Sequence, residues 1–586
     1  MSGMRSYRVV FPYLRQGLIP LLVGILLLLS VDFLQLVIPR FIKGAIDVLT
    51  AKQALSRALT KYCLLILATA LLIFILRLIW RRLIFGQARR IEEALRNRFF
   101  GHLLTLSQSY YHRTSIGNLM AHATNDMEAV RMALGMGLVS LVDSLILGSA
   151  AIGFMAYINL KLTLISLWPM PLVAFLTQRL TKLLDQRFEL VQGTFSKIME
   201  KVRESLVGIM VVKAYTLQER EERNLACYSL EYQDQNIRLA RITGTLFPLS
   251  ILMTNLSLAV VLWIGGQQVL AREITTGDFV AFISYLGLLS WPVMALGWVI
   301  NLIKRGAVSL ERIERILKER PEIADLPGLT PLSFLRAELK VKDLTFSYSQ
   351  GARPVLRGIG FEIAPGRQYL ITGKTGSGKT TLAMLMIRLL ESSSGSIFLD
   401  GHEIHSIPLM DLRKTVSLIP QEPFLFSDTI RANLLLARPE AAEKDLWECL
   451  TMAAFQEEVR TFPKGLDTVV GEKGVLLSGG QKQRLSLART LLVNPPILIL
   501  DNTLSSVDLN TERIIQENLG PFRKGKTTIY ISHLLIGLEG VDNIFLLEAG
   551  ELAETGTHEQ LLGKEGLYYQ LYRYQRLEME LRQGTF

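Results

Sequence analysis

Cysteine is nearly absent: Cys63, Cys227 and Cys449 are the only three in 586 residues, far apart and in no ligand spacing. A disulfide framework and a thiolate zinc site are thereby excluded. The chain has no internal repeat or low-complexity tract, and no small-residue cleavage site follows the basic stretch at its N-terminus. Acidic residues are outnumbered, 53 against 64 Lys and Arg, for a net charge of +11. That excess does not point to nucleic acid, because the basic residues crowd beside apolar runs: Arg77, Arg81, Arg82, Arg89 and Arg90 follow one, and Lys304 and Arg305 another. Positive-inside topology explains such a placement. Polar residues are scarce too: 49% of the chain is hydrophobic and the mean hydropathy is +0.30, too apolar for an ordinary soluble protein. Part of it belongs in lipid.

The apolar excess lies in the first half. Six stretches of roughly 20 residues are long enough to span a bilayer, near residues 18–38, 62–84, 134–157, 160–180, 244–267 and 279–303. Pro169 and Pro171 interrupt the fourth and are expected to kink it. The connections at 85–133 and 181–243 are long, share one side and carry most of the loop arginines, so that side is the cytoplasm. Ile91–Leu106 and Glu189–Val207 mix charge and apolar residues at helical spacing. They predict helices that continue beyond the membrane and pair at distal turns. Residues 1–17 read as a short interfacial helix, with Arg5, Arg8 and Arg15 among apolar neighbours.

The second half alternates β-rich segments (Leu339–Leu344, Tyr369–Thr372, Ile497–Asp501, Thr527–Ile531) with helical ones, the pattern of an open α/β sheet. Between an apolar strand and a helix lies Gly373-Lys374-Thr375-Gly376-Ser377-Gly378-Lys379-Thr380, which fits G-x-x-x-x-G-K-[ST]. Its glycines let backbone N–H groups converge on phosphate, Lys379 adds a point charge, and the Thr380 hydroxyl suits Mg²⁺. Thr381 opens the helix behind it. Pro496-Ile-Leu-Ile-Leu-Asp501 is an apolar strand ending in a carboxylate that suits the same metal ion.

Downstream, Leu477-Ser478-Gly479-Gly480-Gln481 precedes Asp501, and with it the chain resembles the ATP-binding cassette (ABC) family. The resemblance, over about residues 10–575, implies ATP and Mg²⁺ as cofactors. It implies that Ser478, Gly479, Gly480 and Gln481 face ATP held by an opposing cassette. It places Tyr348 on the adenine, Gln421 on Mg²⁺ and the attacking water, and His533 near the γ-phosphate. Ser505-Ser506-Val507-Asp508 would link the two ATP sites, and Gly471-Glu472-Lys473-Gly474 would touch the intracellular loops. Tyr110–Asp126 and Gly208–Tyr215 look like the first and second intracellular loops of type IV exporters, each ending in a short coupling helix.

The fold implied is a multidomain membrane protein: a six-helix, all-α transmembrane domain with long cytoplasmic extensions (1–315), a linker (316–337) and an α/β RecA-like nucleotide-binding domain (338–586). As a member of that family it would be an ATPase driving export of a small molecule, lipid or peptide by alternating access. It would sit in the cytoplasmic (inner) membrane among lipids, with a second half-transporter as partner. An ATP-gated regulator or channel with little turnover is the alternative.

One residue departs from the family pattern. Asn502 stands where a glutamate normally acts as general base, and an amide has no basic lone pair at neutral pH. The expectation is an impaired site in a heterodimer whose partner supplies the glutamate, a homodimer being the other arrangement; an artificial replacement of an acid at 502 would read the same way. In the membrane half, Asp32 and Gln35 share a helix face and Asp143 sits in the third span. Buried acids there face a cavity, a substrate or an arginine.

Overall fold

The computed structural model describes residues 5–50, 55–325, 327–329, 336–348, 351, 353–471 and 477–583, with some side chains undescribed, chiefly within 170–185, 246–254 and 290–297. The chain divides into one unit of residues 1–104 and 115–319 and another of 105–114 and 320–586.

The first unit is all helix. Arg5–Val9 and Phe11–Gln16 lead through Gly17 into Leu18–Thr50. Leu55–Leu103 then runs unbroken for 49 residues, about 74 Å at 1.5 Å per residue, more than twice a hydrocarbon core. Such a helix must leave the membrane. Ile116–Ile158 returns through three π-turns, and Asn159 caps the next helix by accepting from Leu162 N (2.9 Å). The fourth span is interrupted at its prolines: Leu160–Leu167 ends, Trp168 keeps helical dihedrals, and Pro169 occupies the first turn of Pro169–Val207, where its missing N–H costs nothing. Helices over 218–270 and Thr276–Lys318 complete the unit.

Among the described residues three helices, Leu18–Thr50, Arg57–Leu103 and Ile116–Ile158, are long and apolar enough to cross a membrane, with shorter apolar helices at Asn255–Leu270 and Thr276–Leu289. The fourth expected span is helical, but part of it falls among the undescribed side chains. Tyr285 stacks on Phe154 at 5.5 Å and donates to Leu36 O at 2.8 Å. Buried Asp126 accepts from Ser309 Oγ (2.7 Å) and meets His122 Nδ1 (2.6 Å), tying the third long helix to the last.

The second unit holds two sheets. β1 (Leu339–Phe346), β2 (Leu356–Ile363), β4 (Ile397–Leu399) and β5 (His402–Glu403) form an antiparallel sheet in the order β2-β1-β4-β5. The larger sheet, β10-β9-β3-β8-β7-β6, contains β3 (Gln368–Thr372), β6 (Val416–Ile419), β7 (Ile497–Asp501), β8 (Thr527–Ile531), β9 (Asn543–Glu548) and β10 (Glu551–Gly556). Only β10 runs antiparallel there. β7 and β8 are buried at every position, as a parallel sheet covered on both faces requires. The antiparallel sheet was not legible in advance, because β4 and β5 are too short for a period to show.

Candidate functional site

The phosphate loop leaves β3 and enters the helix Lys379–Met386. Gly373, Gly376 and Gly378 have φ of +143°, +83° and +97°, accessible to glycine at little cost. A Cβ on Gly373 would stand 2.1 Å from Leu547 O. Gly378 caps the helix without a side-chain acceptor, which leaves the first N–H groups to an anion. Lys379 Nζ donates to Gly373 O (2.8 Å) and Lys374 O (2.9 Å), and approaches Ser377 Oγ (3.4 Å), arching over the loop.

β3, β8, β7 and β6 are parallel neighbours, so their C-terminal ends meet at one edge. There a cavity of about 280 Å³ is lined by Lys379, Thr380, Gln421, Asp501, Asn502 and His533, with Thr375, Gly376, Gly378 and Thr381 of the loop and helix. Asp501 is 2% exposed and its Oδ2 has no hydrogen-bond partner. Burial pushes its carboxyl above the usual range, while the Thr380 hydroxyl and Lys379 pull it down. Burial likewise lowers Lys379, and the Asp501 charge opposes this. No group of three His, Cys, Asp or Glu able to hold a metal occurs among the described residues. One orphan carboxylate oxygen beside a threonine hydroxyl fits Mg²⁺, which keeps waters and phosphate oxygens as its other ligands.

Asn502 takes the left-handed conformation (φ +46°), which asparagine tolerates. Its N–H donates to Ile531 O at 2.8 Å. Tyr348 is 57% exposed, and its hydroxyl pairs with Thr381 Oγ1 (2.9 Å) at the edge of the loop. Gly373, Lys374 and Ser377 support the loop without lining the cavity.

Ser478, Gly479, Gly480 and Gln481 do not line this cavity either. Ser478 caps the helix Gly479–Val493 in a reciprocal box: its Oγ accepts from Gln481 N (3.3 Å), and Gln481 Oε1 accepts from Ser478 N (2.9 Å). A Cβ on Gly480 would lie 2.8 Å from Ser506 O. Gln483, which sequence reasoning passed over, reaches Ser505 Oγ (3.4 Å) and accepts from Ser506 N (3.1 Å). It stitches the signature helix to the Ser505–Asp508 loop. Nothing in the chain singled it out, because it sits in the polar run Gln481-Lys482-Gln483-Arg484. Glu472, Lys473 and Gly474 lie outside the described residues.

Glu322 was also missed, as one acid in a charged linker. It accepts from Ser107 Oγ (3.1 Å), from Ser109 Oγ and from Arg113 Nη2 (2.7 Å), clasping the short helix Gln108–Arg113. In the membrane part Asp32 is 2% exposed with Oδ2 unpartnered, and Asp143 Oδ1 is also buried without a partner.

Residues 21–293 match the family of the ABC transporter transmembrane region and residues 356–505 the ABC transporter family. The chain is 36% identical over 584 residues to the multidrug resistance-like ATP-binding protein MdlA of Escherichia coli (strain K12), covering 99% of this chain and 98% of the relative. It is 35% identical over 556 residues to the probable multidrug resistance ABC transporter ATP-binding/permease protein YheI of Bacillus subtilis (strain 168), covering 95% of each. The structure of a bacterial Atm1-family ABC exporter with ATP bound is similar, with a TM-score of 0.79 and 27% identity, covering 96% of this chain and 99% of that one.

Proposed function

The chain belongs to the ABC transporters as an exporter half-transporter, and on that premise we propose that it is the hydrolytically impaired half of a heterodimer exporting a multidrug-type small molecule, lipid or peptide across the cytoplasmic membrane. It is a transport-coupled ATPase, and exporters of this kind work as dimers. Asn502 carries the finer reading. It lines the cavity beside Asp501, Gln421 and His533, where its amide orients water but takes no proton. General-base assistance is worth about 10²- to 10⁴-fold, so this site binds ATP and turns it over slowly.

Binding rests on the residues that remain. The loop N–H groups and Lys379 hold the phosphates, and Tyr348 offers its ring to the base. Thr380, Asp501 and Gln421 would hold Mg²⁺, which when bound neutralises charge on the transferring phosphoryl group. Ser478 and Gly480 would complete the partner's site, where a glutamate provides the missing base.

The need for a partner has support in the second intracellular turn. The helix Ile209–Ala214 leaves Met210 79%, Val211 55% and neighbouring Tyr215 73% exposed. An apolar tip of this kind suits the partner's nucleotide domain. This chain's own cassette has a groove of about 490 Å³ that includes Phe424, Phe426 and Leu436, suited to the partner's equivalent tip. Closure of the two cassettes on ATP would then pull on the long helices and switch the membrane cavity between inward and outward access.

Phosphate release by the purified chain alone tests the impaired site. Slow turnover with intact ATP binding is expected, and turnover of many ATP per second would sink it. Co-expression with a related half-transporter bearing Glu at the matching position should restore ATPase activity and ATP-dependent dye uptake into inverted vesicles.

A further inference from the structure

We propose that the cavity beneath the N-terminal helix holds a segment of one acyl chain of an anionic phospholipid from the cytoplasmic leaflet. The cavity, about 260 Å³, lies between the N-terminal segment and the long helices, with Leu14, Leu21, Ile84 and Leu138 among its walls and Tyr7 and Gln87 as polar members. Both polar groups are spent on the frame. Tyr7 Oη donates to Ile303 O (3.0 Å), and Gln87 Nε2 reaches Tyr13 O (3.5 Å). Gly17 allows the chain to turn against that glutamine, since a Cβ would fall 1.8 Å from Gln87 Nε2. What remains inside is apolar, and an apolar cavity does not retain water. Its volume is below the roughly 300–1,000 Å³ of sites for drug-sized ligands, which suits a segment of one acyl chain and not a transported molecule.

The surroundings select the headgroup. Arg8 and Arg15 adjoin wall residues Tyr7 and Leu14, Arg82 lies two positions from Ile84, and Arg89 and Arg90 adjoin Ala88 and Ile91. All five are exposed, and none forms an ion pair among the described residues. Neither 1–31 nor 62–91 contains an acid. The nearest, Glu92, is engaged by Arg96 (2.7 Å) and Arg131 (3.6 Å). Unpaired arginines at the cytoplasmic boundary attract anionic headgroups, and the cavity accepts the tail.

Native mass spectrometry of the full chain, released from nanodiscs of equal phosphatidylglycerol and phosphatidylcholine, reads the bound lipid directly. The expected result is about one retained phosphatidylglycerol per chain, preferred roughly tenfold over phosphatidylcholine. Leu138→Trp, which fills the cavity, and the double variant Arg15→Gln with Arg89→Gln should each abolish that preference. Arg113→Gln, which belongs to the other unit, should keep it. Equal retention of the two lipids by the unmodified chain overturns the proposal. So does a preference that survives Leu138→Trp, since the lipid would then be held by surface charge alone. Should Leu138→Trp lower the melting temperature, the arginine pair decides: unchanged phosphatidylglycerol retention there also overturns it. ATP turnover plays no part in the readout, so failure here leaves the exporter reading untouched, and the converse holds.

Discussion

Two glycine turns in the nucleotide unit open helices, and they are finished differently. The phosphate loop leaves its helix start uncapped by any side chain and curls through three positive-φ glycines. The Ser478-Gly-Gly-Gln turn closes on itself, Ser478 and Gln481 satisfying each other's backbone. An uncapped N-terminus is in need of an anion, whereas a capped one has less to gain. The first turn is therefore built to take an anion. The second is already satisfied by its own side chains.

The largest test of that contrast is at the base. Asn502→Glu should raise phosphate release by the chain about 10²- to 10⁴-fold, provided dimers form. No rise in a dimer that binds ATP would show that something other than the amide limits the site. Lys379→Ala should weaken ATP binding by about 10- to 100-fold, the worth of a charge-assisted contact, measured by nucleotide titration. Ser478→Ala separates the turns most sharply. It removes a cap worth about 0.5–2 kcal/mol and should reduce ATPase activity of the mixed dimer, yet leave this chain's own ATP affinity within about twofold; a larger change in that affinity would break the comparison.

The smallest effect concerns Glu322. The Ser109 hydroxyl first, then Ser107 and Arg113, hold its carboxyl below the usual range. A depressed carboxyl contributes fully above its unfolded pKa of about 4.3, and the contribution is lost as pH falls through the lower folded value. At 44% side-chain exposure it amounts to less than about 1 kcal/mol. Thermal melting compared at pH 7 and pH 3.5 should show a slightly smaller acid loss in Glu322→Gln than in the unmodified chain.

Much of this was legible in the linear chain because it is local chemistry. Gly373 to Thr380 carries the glycine spacing of a phosphate cradle, the span at 62–84 and the helical spacing of Ile91–Leu106 point to helix running on beyond the membrane, and Asn502 differs by one residue from the family pattern that the chain resembles. Even there only the structure shows how the prolines of the fourth span are accommodated: the helix breaks at Trp168 and Pro169 falls in the first turn of Pro169–Val207. Convergence was another matter. Gln421, Asp501 and His533 share a cavity with Lys379 because strand order places β6, β7 and β8 beside β3, and pairing order is a long-range choice that no window of sequence contains. The clasp of Glu322 on Ser107, Ser109 and Arg113, the Gln483 stitch and the cavity under the N-terminal helix belong to the same class. Each joins segments far apart in the chain, so only packing could bring them together.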